Sequence, residues 1–165
     1  MNQVSSTMTA FICANCASGG APPAAGLKPA SPDFDWPGSV RQVLVPCTGR
    51  LQPENVLRAF ESGSSIVSIV ACLEDNCQYI EGSRRCASRV DYIRSILKEI
   101  GLGEERLLLF RVAGSAPGVP VSAARPGAAL HPADIREQAM QALRIQPPSP
   151  LAQSIHAGIE DSPDE

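Results

Sequence analysis

Apolar residues along the chain fall into short runs that polar and turn-forming segments separate. Ile66 to Ala71 is a nearly continuous apolar run, which is typical of a strand buried on both faces of a parallel sheet. Val40 to Pro46 is β-branched and apolar, Arg106 to Ala113 forms another such run, and Ala10 to Cys13 is a short apolar entry into the fold. The pattern predicts a strand at each of these places.

Helical spacing of apolar residues follows three of the predicted strands. One helix is predicted to begin at Pro53, whose missing N–H costs nothing in a first turn, and to stop at Gly63. The longest helix spans Arg84 to Ile100, with Ser83 as its N-cap. A final helix spans Pro132 to Ile145. Strands and helices therefore alternate along the chain.

This alternation predicts an α/β fold, a small open parallel sheet with flanking helices and right-handed crossovers. The predicted segments are a flexible N-terminus (1–9), an α/β domain (10–113), a Pro- and Gly-rich linker (114–130), a C-terminal helix (131–145) and an acidic Pro-rich tail (146–165). We expect the tail to be flexible or to dock on a partner.

Composition narrows the class of protein. The chain has 165 residues, the size of one domain, and its 44% of hydrophobic residues with only 4% aromatic residues predict an aliphatic core. A net charge of -3 and a pI near 5.4 argue against a nucleic-acid binder. No segment approaches the roughly 18 consecutive apolar residues of a membrane span. Met1 to Cys13 lacks the basic residue and the long apolar run of a signal peptide. We therefore expect a cytoplasmic protein.

Six cysteines are the most informative feature, because a reducing compartment disfavours structural disulfides. Cys13, Cys47 and Cys72 each stand at the end of a predicted strand. In a parallel sheet those ends share one edge, where open α/β folds place their ligands. Cys16 and Cys77 lie in the loops just beyond the same edge. We therefore expect five thiols, distant in sequence, to converge at the carboxyl ends of the strands.

Clustered thiols of this kind suit more than one chemistry. An iron–sulfur cluster and a structural zinc ion each take four protein ligands. Cys47 stands alone, unlike the matched pairs of a zinc ribbon, while the spacing of Cys13 and Cys16 also suits a thioredoxin-like redox pair. Inert buried thiols are the remaining alternative. Cys86 lies on the predicted long helix and is interpreted as a packing or surface residue.

The other polar residues supply no catalytic machinery. The chain has no Gly-rich phosphate loop and no Ser–His–Asp pattern, and His131 and His156 stand in the linker and tail, away from any Rieske-type centre. Tyr79 is either a cover of the cysteine edge or an ordinary half-buried loop residue. Several arginines near that edge either are solvated or act on an anionic cluster or an acidic partner; they are Arg50, Arg84, Arg85 and Arg89. The sequence favours an electron carrier over an enzyme.

Three short motifs around the cysteines resemble the MvhD/FlpD family, the delta subunit of methyl-viologen-reducing hydrogenase. The matching stretches are Phe11 to Cys16, Val45 to Arg50 and Ala71 to Tyr79, and the resemblance extends over about Ala10 to Gly114. It implies one [2Fe–2S] cluster and a relay of electrons between two subunits, one of them a donor and the other an HdrA-like subunit that bears flavin and clusters.

By this resemblance, cluster binding is expected at five cysteines, four of which ligate iron: Cys13, Cys16, Cys47, Cys72 and Cys77. The implied hosts are large redox complexes of anaerobes, namely hydrogenase complexes, assemblies of acetogens and sulfate reducers, and class II benzoyl-CoA reductase. Two alternatives stay open. One is a structural zinc or thiol–disulfide module of the same fold, and the other is a cluster-free interaction subunit.

Overall fold

The computed structural model describes residues 7–14, 36, 39–74, 77–112 and 132–151. Within these ranges the strands are β1 (Met8–Cys13), β2 (Val40–Val45), β3 (Ile66–Cys72) and β4 (Leu107–Val112). The helices are α1 (Pro53–Glu61), α2 (Gly82–Glu99) and α3 (Pro132–Ile145), and two 3-10 turns span Thr48–Arg50 and Glu104–Arg106. The predicted linker and most of the predicted tail lie outside the described residues. No helix of the described ranges is long and apolar enough to cross a membrane.

The four strands are parallel and stand in the order β2-β1-β3-β4. On β1, Met8 lies opposite Val40 on one side and opposite Ile66 on the other. The chain passes from β1 outward to β2 and then returns past β1 to β3, so its direction of winding reverses between β1 and β3. Open α/β sheets bind ligands in the crevice at the carboxyl ends of strands that flank such a switch point. The predicted α/β fold with a parallel sheet is confirmed.

Helices cover both faces of the sheet because its central strands are apolar on both faces. Every residue of β1 and β3 is buried. On one face, α1 and α2 pack through Phe60 and Leu97 against side chains that include Ile69. On the other face, α3 packs through Ile135 against side chains that include Val70. The buried sheet supplies a rigid base for the edge that carries the cysteines.

β1 begins two residues earlier than the predicted start at Ala10. Met8 and Thr9 are buried in this strand, although the sequence before Ala10 is polar. The Thr9 hydroxyl shares a 2.7 Å hydrogen bond with the Ser64 hydroxyl. Two buried hydroxyls that satisfy each other avoid the cost of an unpaired polar group, which lets a polar residue occupy a central strand.

α2 also differs from its predicted boundaries. It begins at Gly82 with Glu81 at the N-cap position, not at the predicted cap Ser83. Ser83 does not cap because it lies inside the helix, where its hydroxyl donates to the carbonyl oxygen of Cys72. Ile100, predicted to belong to the apolar face, is 60% exposed because it lies just past the end of the helix.

Arg106 is a buried cation that ties the C-terminal segment to the sheet. Its guanidinium donates three hydrogen bonds, each 2.9 Å long, to the carbonyl oxygens of Leu102, Ser65 and Pro147. Ser149 is fully buried nearby, and its N–H donates to the Ser65 hydroxyl at 3.3 Å. The first residues of the predicted tail therefore pack on the fold itself.

Candidate functional site

Two of the predicted site cysteines end the strands that flank the switch point. Cys13 is the last residue of β1 and Cys72 the last residue of β3, so parallel pairing puts both at the same sheet edge. Their Sγ atoms lie 3.8 Å apart and both side chains are buried. Cys13 Sγ also lies 3.9 Å from the carbonyl oxygen of Pro46, the residue before Cys47. Thiols from separate strands thus meet at one edge, as the strand pattern predicts.

Two further candidates reach this edge from loops. Cys47 follows β2, and Cys77 lies between β3 and α2; both are buried, and their side chains are hydrogen-bonded to each other. Cys77 packs with Cys13 and Cys72 in one buried cluster. The structure therefore gathers four of the five predicted thiols, while Cys16 lies outside the described residues.

Two glycines let the backbone approach the sulfur atoms closely. A Cβ at Gly82, the first residue of α2, would lie 2.7 Å from Cys47 Sγ and 3.0 Å from Cys77 Sγ. A Cβ at Gly49 would lie 2.6 Å from the Cα of Gly82. Because a side chain at either position would collide with a sulfur or with backbone, both positions require glycine.

The electrostatic environment of Cys47 contains opposing influences. Burial raises the pKa of the Cys47 thiol, and the thiols of Cys13 and Cys77 act in the same direction. The N–H of Gly49 opposes them, because it donates to Cys47 Sγ at 3.3 Å. The N-terminus of α2 adds partial positive charge beside the same sulfur. Four free thiolates would repel one another here, and a bound metal would relieve that repulsion.

Arg111 on β4 completes a hydrogen-bonded chain behind the thiols. Its guanidinium donates to the Ser83 hydroxyl at 3.1 Å and forms a 3.0 Å ion pair with Glu74. The Ser83 hydroxyl in turn donates to the carbonyl oxygen of Cys72. These contacts join β4, α2 and the end of β3, and they hold a cationic group close to the cysteine edge.

Cys86 is a packing residue, which is one of its two predicted roles. It is 2% exposed and lies in the core between the sheet, α1 and α2. Burial raises its pKa to about 11, against the opposing influence of a hydrogen bond with Thr48 and the charges of Arg111 and Arg89. Since only the thiolate is a good nucleophile or metal ligand, the Cys86 thiol is inert at neutral pH.

The predicted arginines differ in what they contact. Arg89 donates to the carbonyl oxygens of Gly49 and Leu51, so it supports the turn that follows Cys47. Arg85 forms an exposed ion pair within α2. The two arginines whose side chains face solvent at the border of the site are Arg50 and Arg84.

The donor set fits an iron–sulfur cluster. In the part of the chain that the structure describes, no three Cys, His, Asp or Glu side chains have the arrangement of a single-ion metal site. The thiols instead form two close pairs, Cys13 with Cys72 and Cys47 with Cys77. A two-iron cluster uses four thiolates, two for each iron, whereas zinc draws all four ligands to one ion.

The cysteine spacing alone does not identify every residue of the site. Gly49 and Gly82 lie two and five residues after candidate cysteines, where glycine often marks a close backbone approach, and this signal could have found them. Ser83 and Arg111 carry no such signal. Arg111 reaches the site because it lies opposite Ala71 in the β3–β4 register, and the register cannot be derived from spacing.

Comparison with known proteins identifies similar chains. The sequence profile described as methyl-viologen-reducing hydrogenase, delta subunit (FlpD), matches residues 8–124. The matched range holds all five predicted site cysteines and all four described strands.

Individual relatives agree with the profile. The iron-sulfur subunit of the F420-non-reducing hydrogenase vhu of Methanococcus maripaludis is 33% identical over 109 residues, which cover 66% of this chain and 78% of that protein. The subunit of the same name in Methanocaldococcus jannaschii is 32% identical over 90 residues, 54% of this chain and 67% of that protein. The HdrA subunit of the ferredoxin:CoB-CoM heterodisulfide reductase of Methanosarcina mazei is 38% identical over 72 residues, 44% of this chain and 9% of that protein. The last match therefore concerns one short segment of a much longer protein.

Proposed function

Since the chain belongs to the methyl-viologen-reducing hydrogenase delta-subunit family, we propose that it is an electron-transfer subunit that carries one [2Fe–2S] cluster. It relays electrons within a larger oxidoreductase complex, between two partners: one redox subunit, and one HdrA-like subunit that bears flavin and iron–sulfur clusters. The names of its relatives, an iron-sulfur subunit of a hydrogenase and the HdrA subunit of a heterodisulfide reductase, support this role.

One observation carries the proposal: four buried thiols meet in two close pairs at the switch point of the sheet. The proposed ligands are Cys13, Cys47, Cys72 and Cys77, which leaves Cys16 as a thiol that does not bind iron. The cluster supplies one-electron chemistry, so the protein needs no acid, base or nucleophile of its own. Its task is to hold the sulfurs, exclude water and set the energy of the added electron.

Residues around the sulfurs control that energy. An added electron makes the sulfur environment more negative, so positive groups nearby stabilise the reduced state and raise the reduction potential. The N–H of Gly49, the N-terminus of α2 and the guanidinium of Arg111 act in this direction. Burial acts in the opposite direction, because it disfavours added charge.

The proposed compartment is the cytoplasm, because four thiols that are to bind iron must remain reduced. The proposed host is an anaerobic redox complex, and class II benzoyl-CoA reductase is the candidate that the sequence resemblance adds to the hydrogenase complexes. Co-purification from native cells, followed by identification of the attached subunits, distinguishes these hosts directly.

Anaerobic purification with metal and sulfide analysis tests the proposal. The protein should contain about two iron atoms and two acid-labile sulfides per chain. Once reduced, it should pass electrons to the HdrA-like subunit. One zinc ion per chain without sulfide would support the structural zinc module instead. A metal-free protein that cycles between a Cys13–Cys72 disulfide and two thiols would support the thiol–disulfide alternative.

Replacement of Gly82 by alanine should lower the iron content several-fold and leave α2 folded. The added Cβ would lie 2.7 Å from Cys47 Sγ and would push that sulfur away from the metal. The helix itself does not suffer, because alanine is a better helix former than glycine by about 1 kcal/mol. Iron per chain and the far-ultraviolet circular dichroism spectrum are the measurements. Arg84→Ala, at an exposed position in the same turn, is the control and should keep its iron; equal iron in both variants would contradict the site geometry.

A further inference from the structure

The loop between the last candidate ligand and α2 exposes two large apolar side chains in succession. Tyr79 is 55% exposed and Ile80 is 82% exposed. They stand two and three residues after Cys77 and just before Gly82, both of which lie against the site. Tyr79 therefore does not shield the thiols from water, as one of its two predicted roles would require. An exposed apolar pair directly above a buried redox site indicates a surface that another protein covers.

The backbone holds this pair outward at a cost. Ile80 has a φ of 57°, in the left-handed region, which is unfavourable by about 1–2 kcal/mol for residues other than glycine and is rare for a β-branched side chain. Hydrogen bonds fix the conformation: the N–H of Ile80 donates to Cys77 O at 2.9 Å, and the N–H of Glu81 donates to Tyr79 O at 2.6 Å. An asparagine or glycine at position 80 would relieve the strain, so stability does not explain isoleucine here.

Cationic side chains border the same loop. Gly49 and Gly82 are in backbone contact, and the exposed residues Arg50 and Arg84 lie within two positions of that contact. Arg85 is also exposed, but its charge is paired with Glu81 at 2.7 Å. An apolar centre with a basic margin is complementary to a surface that has an apolar centre and an acidic margin.

We propose that Tyr79, Ile80 and Arg84 form the docking surface for the subunit that exchanges electrons with the site. This inference rests on the proposed function, and the occupant to which it commits is the HdrA-like subunit. The loop is the covalent continuation of Cys77, so a partner bound there brings its own redox group as close to the sulfurs as the fold permits. Burial of the thiols on the core side makes the loop the exposed approach to the site among the described residues.

Matched substitutions separate docking from stability. Ile80→Asn removes the apolar side chain and introduces a residue that tolerates a positive φ, so the thermal midpoint of unfolding should stay equal or rise. Ile100→Asn is the control: Ile100 is 60% exposed but lies about 27 Å along α2 from Gly82, at 1.5 Å per residue. Tyr79→Asn and Tyr92→Asn form a second matched pair, since Tyr92 is 58% exposed and lies ten residues into α2.

The experiment uses the anaerobically purified, full-length protein, and its probe is the recombinant HdrA-like subunit of the same organism. Iron per chain, the thermal midpoint and the dissociation constant by calorimetry are measured for each variant. Ile80→Asn and Tyr79→Asn should each weaken binding about tenfold with unchanged iron, as central interface residues do. Ile100→Asn and Tyr92→Asn should bind like the wild type. Arg84→Gln should flatten the salt dependence of binding.

Two results would overturn the inference while the proposed function survives. One is wild-type affinity in both loop variants, and the other is an equal loss of affinity in the loop variants and their controls. Failure of the proposed function is visible in the wild-type protein alone, as a preparation without iron and sulfide or one that transfers no electron to the probe, and it overturns the docking surface with it.

Discussion

Serine at Cys13, Cys47, Cys72 or Cys77 should each reduce the iron bound to the protein to a small fraction of the wild-type amount. A serine hydroxyl is a much weaker iron ligand than a thiolate, and the three remaining thiolates cannot complete a cluster that needs four. The effect should be similar for all four variants, because the sulfurs form two mutually dependent pairs. Iron, acid-labile sulfide and visible absorbance of anaerobic preparations measure the loss.

The two remaining cysteines supply matched controls. Cys86→Ser changes a buried thiol that lies in the hydrophobic core and not at the cysteine edge, so it should keep its iron and lose only some stability. Cys16→Ser should also keep its iron, because four other thiols already meet at the switch point. Full iron in any one of the four ligand variants, or loss of iron in Cys16→Ser, would contradict the proposed ligand set and point to a different group of four.

Much of this site follows from the strand pattern. Ile66 to Ala71 is apolar throughout, which indicates a strand buried on both faces, and such strands occur in parallel sheets. Once the sheet is parallel, residues that end different strands must share an edge, so Cys13 and Cys72 are expected to meet whatever the strand order. The order β2-β1-β3-β4 adds that these two strands are neighbours at the switch point, and the order itself is not encoded in the apolar pattern.

The contacts that complete the site depend on packing between elements, which local patterns do not specify. Gly49 and Gly82 look like ordinary turn and helix-boundary glycines until the turn after Cys47 is seen to touch the start of α2. Ser83 looks like a helix cap, and only the position of the β3 end shows that its hydroxyl bonds Cys72 instead. Arg106 looks like the polar start of a strand, although it is buried and bonds three carbonyl groups.

Replacement of Arg106 by methionine should destabilise the fold by roughly 3–5 kcal/mol, a large part of the 5–15 kcal/mol that holds a typical domain folded. Methionine keeps most of the volume of the side chain but removes all three donors. Hydrogen bonds from a charged donor contribute about 1.5–3 kcal/mol each, and the carbonyl oxygens of Leu102, Ser65 and Pro147 would lose their partner in a buried place. At the 2–4 °C per kcal/mol of a domain of this size, the thermal midpoint should fall by about 10 °C or more.

Arg94→Met is the matched control for this loss. Arg94 donates two hydrogen bonds to a single carbonyl oxygen, that of Leu107, and its side chain is 34% exposed, so water can replace it and the cost should be about 1 kcal/mol. Thermal midpoints are compared at one scan rate on anaerobic protein, with trypsin cleavage after the exposed Arg144 as a second measurement. Cleavage should accelerate in Arg106→Met and not in Arg94→Met, because Arg106 holds the segment at Pro147 against the sheet edge. Equal destabilisation by the two substitutions would mean that the buried guanidinium contributes no more than an ordinary surface arginine.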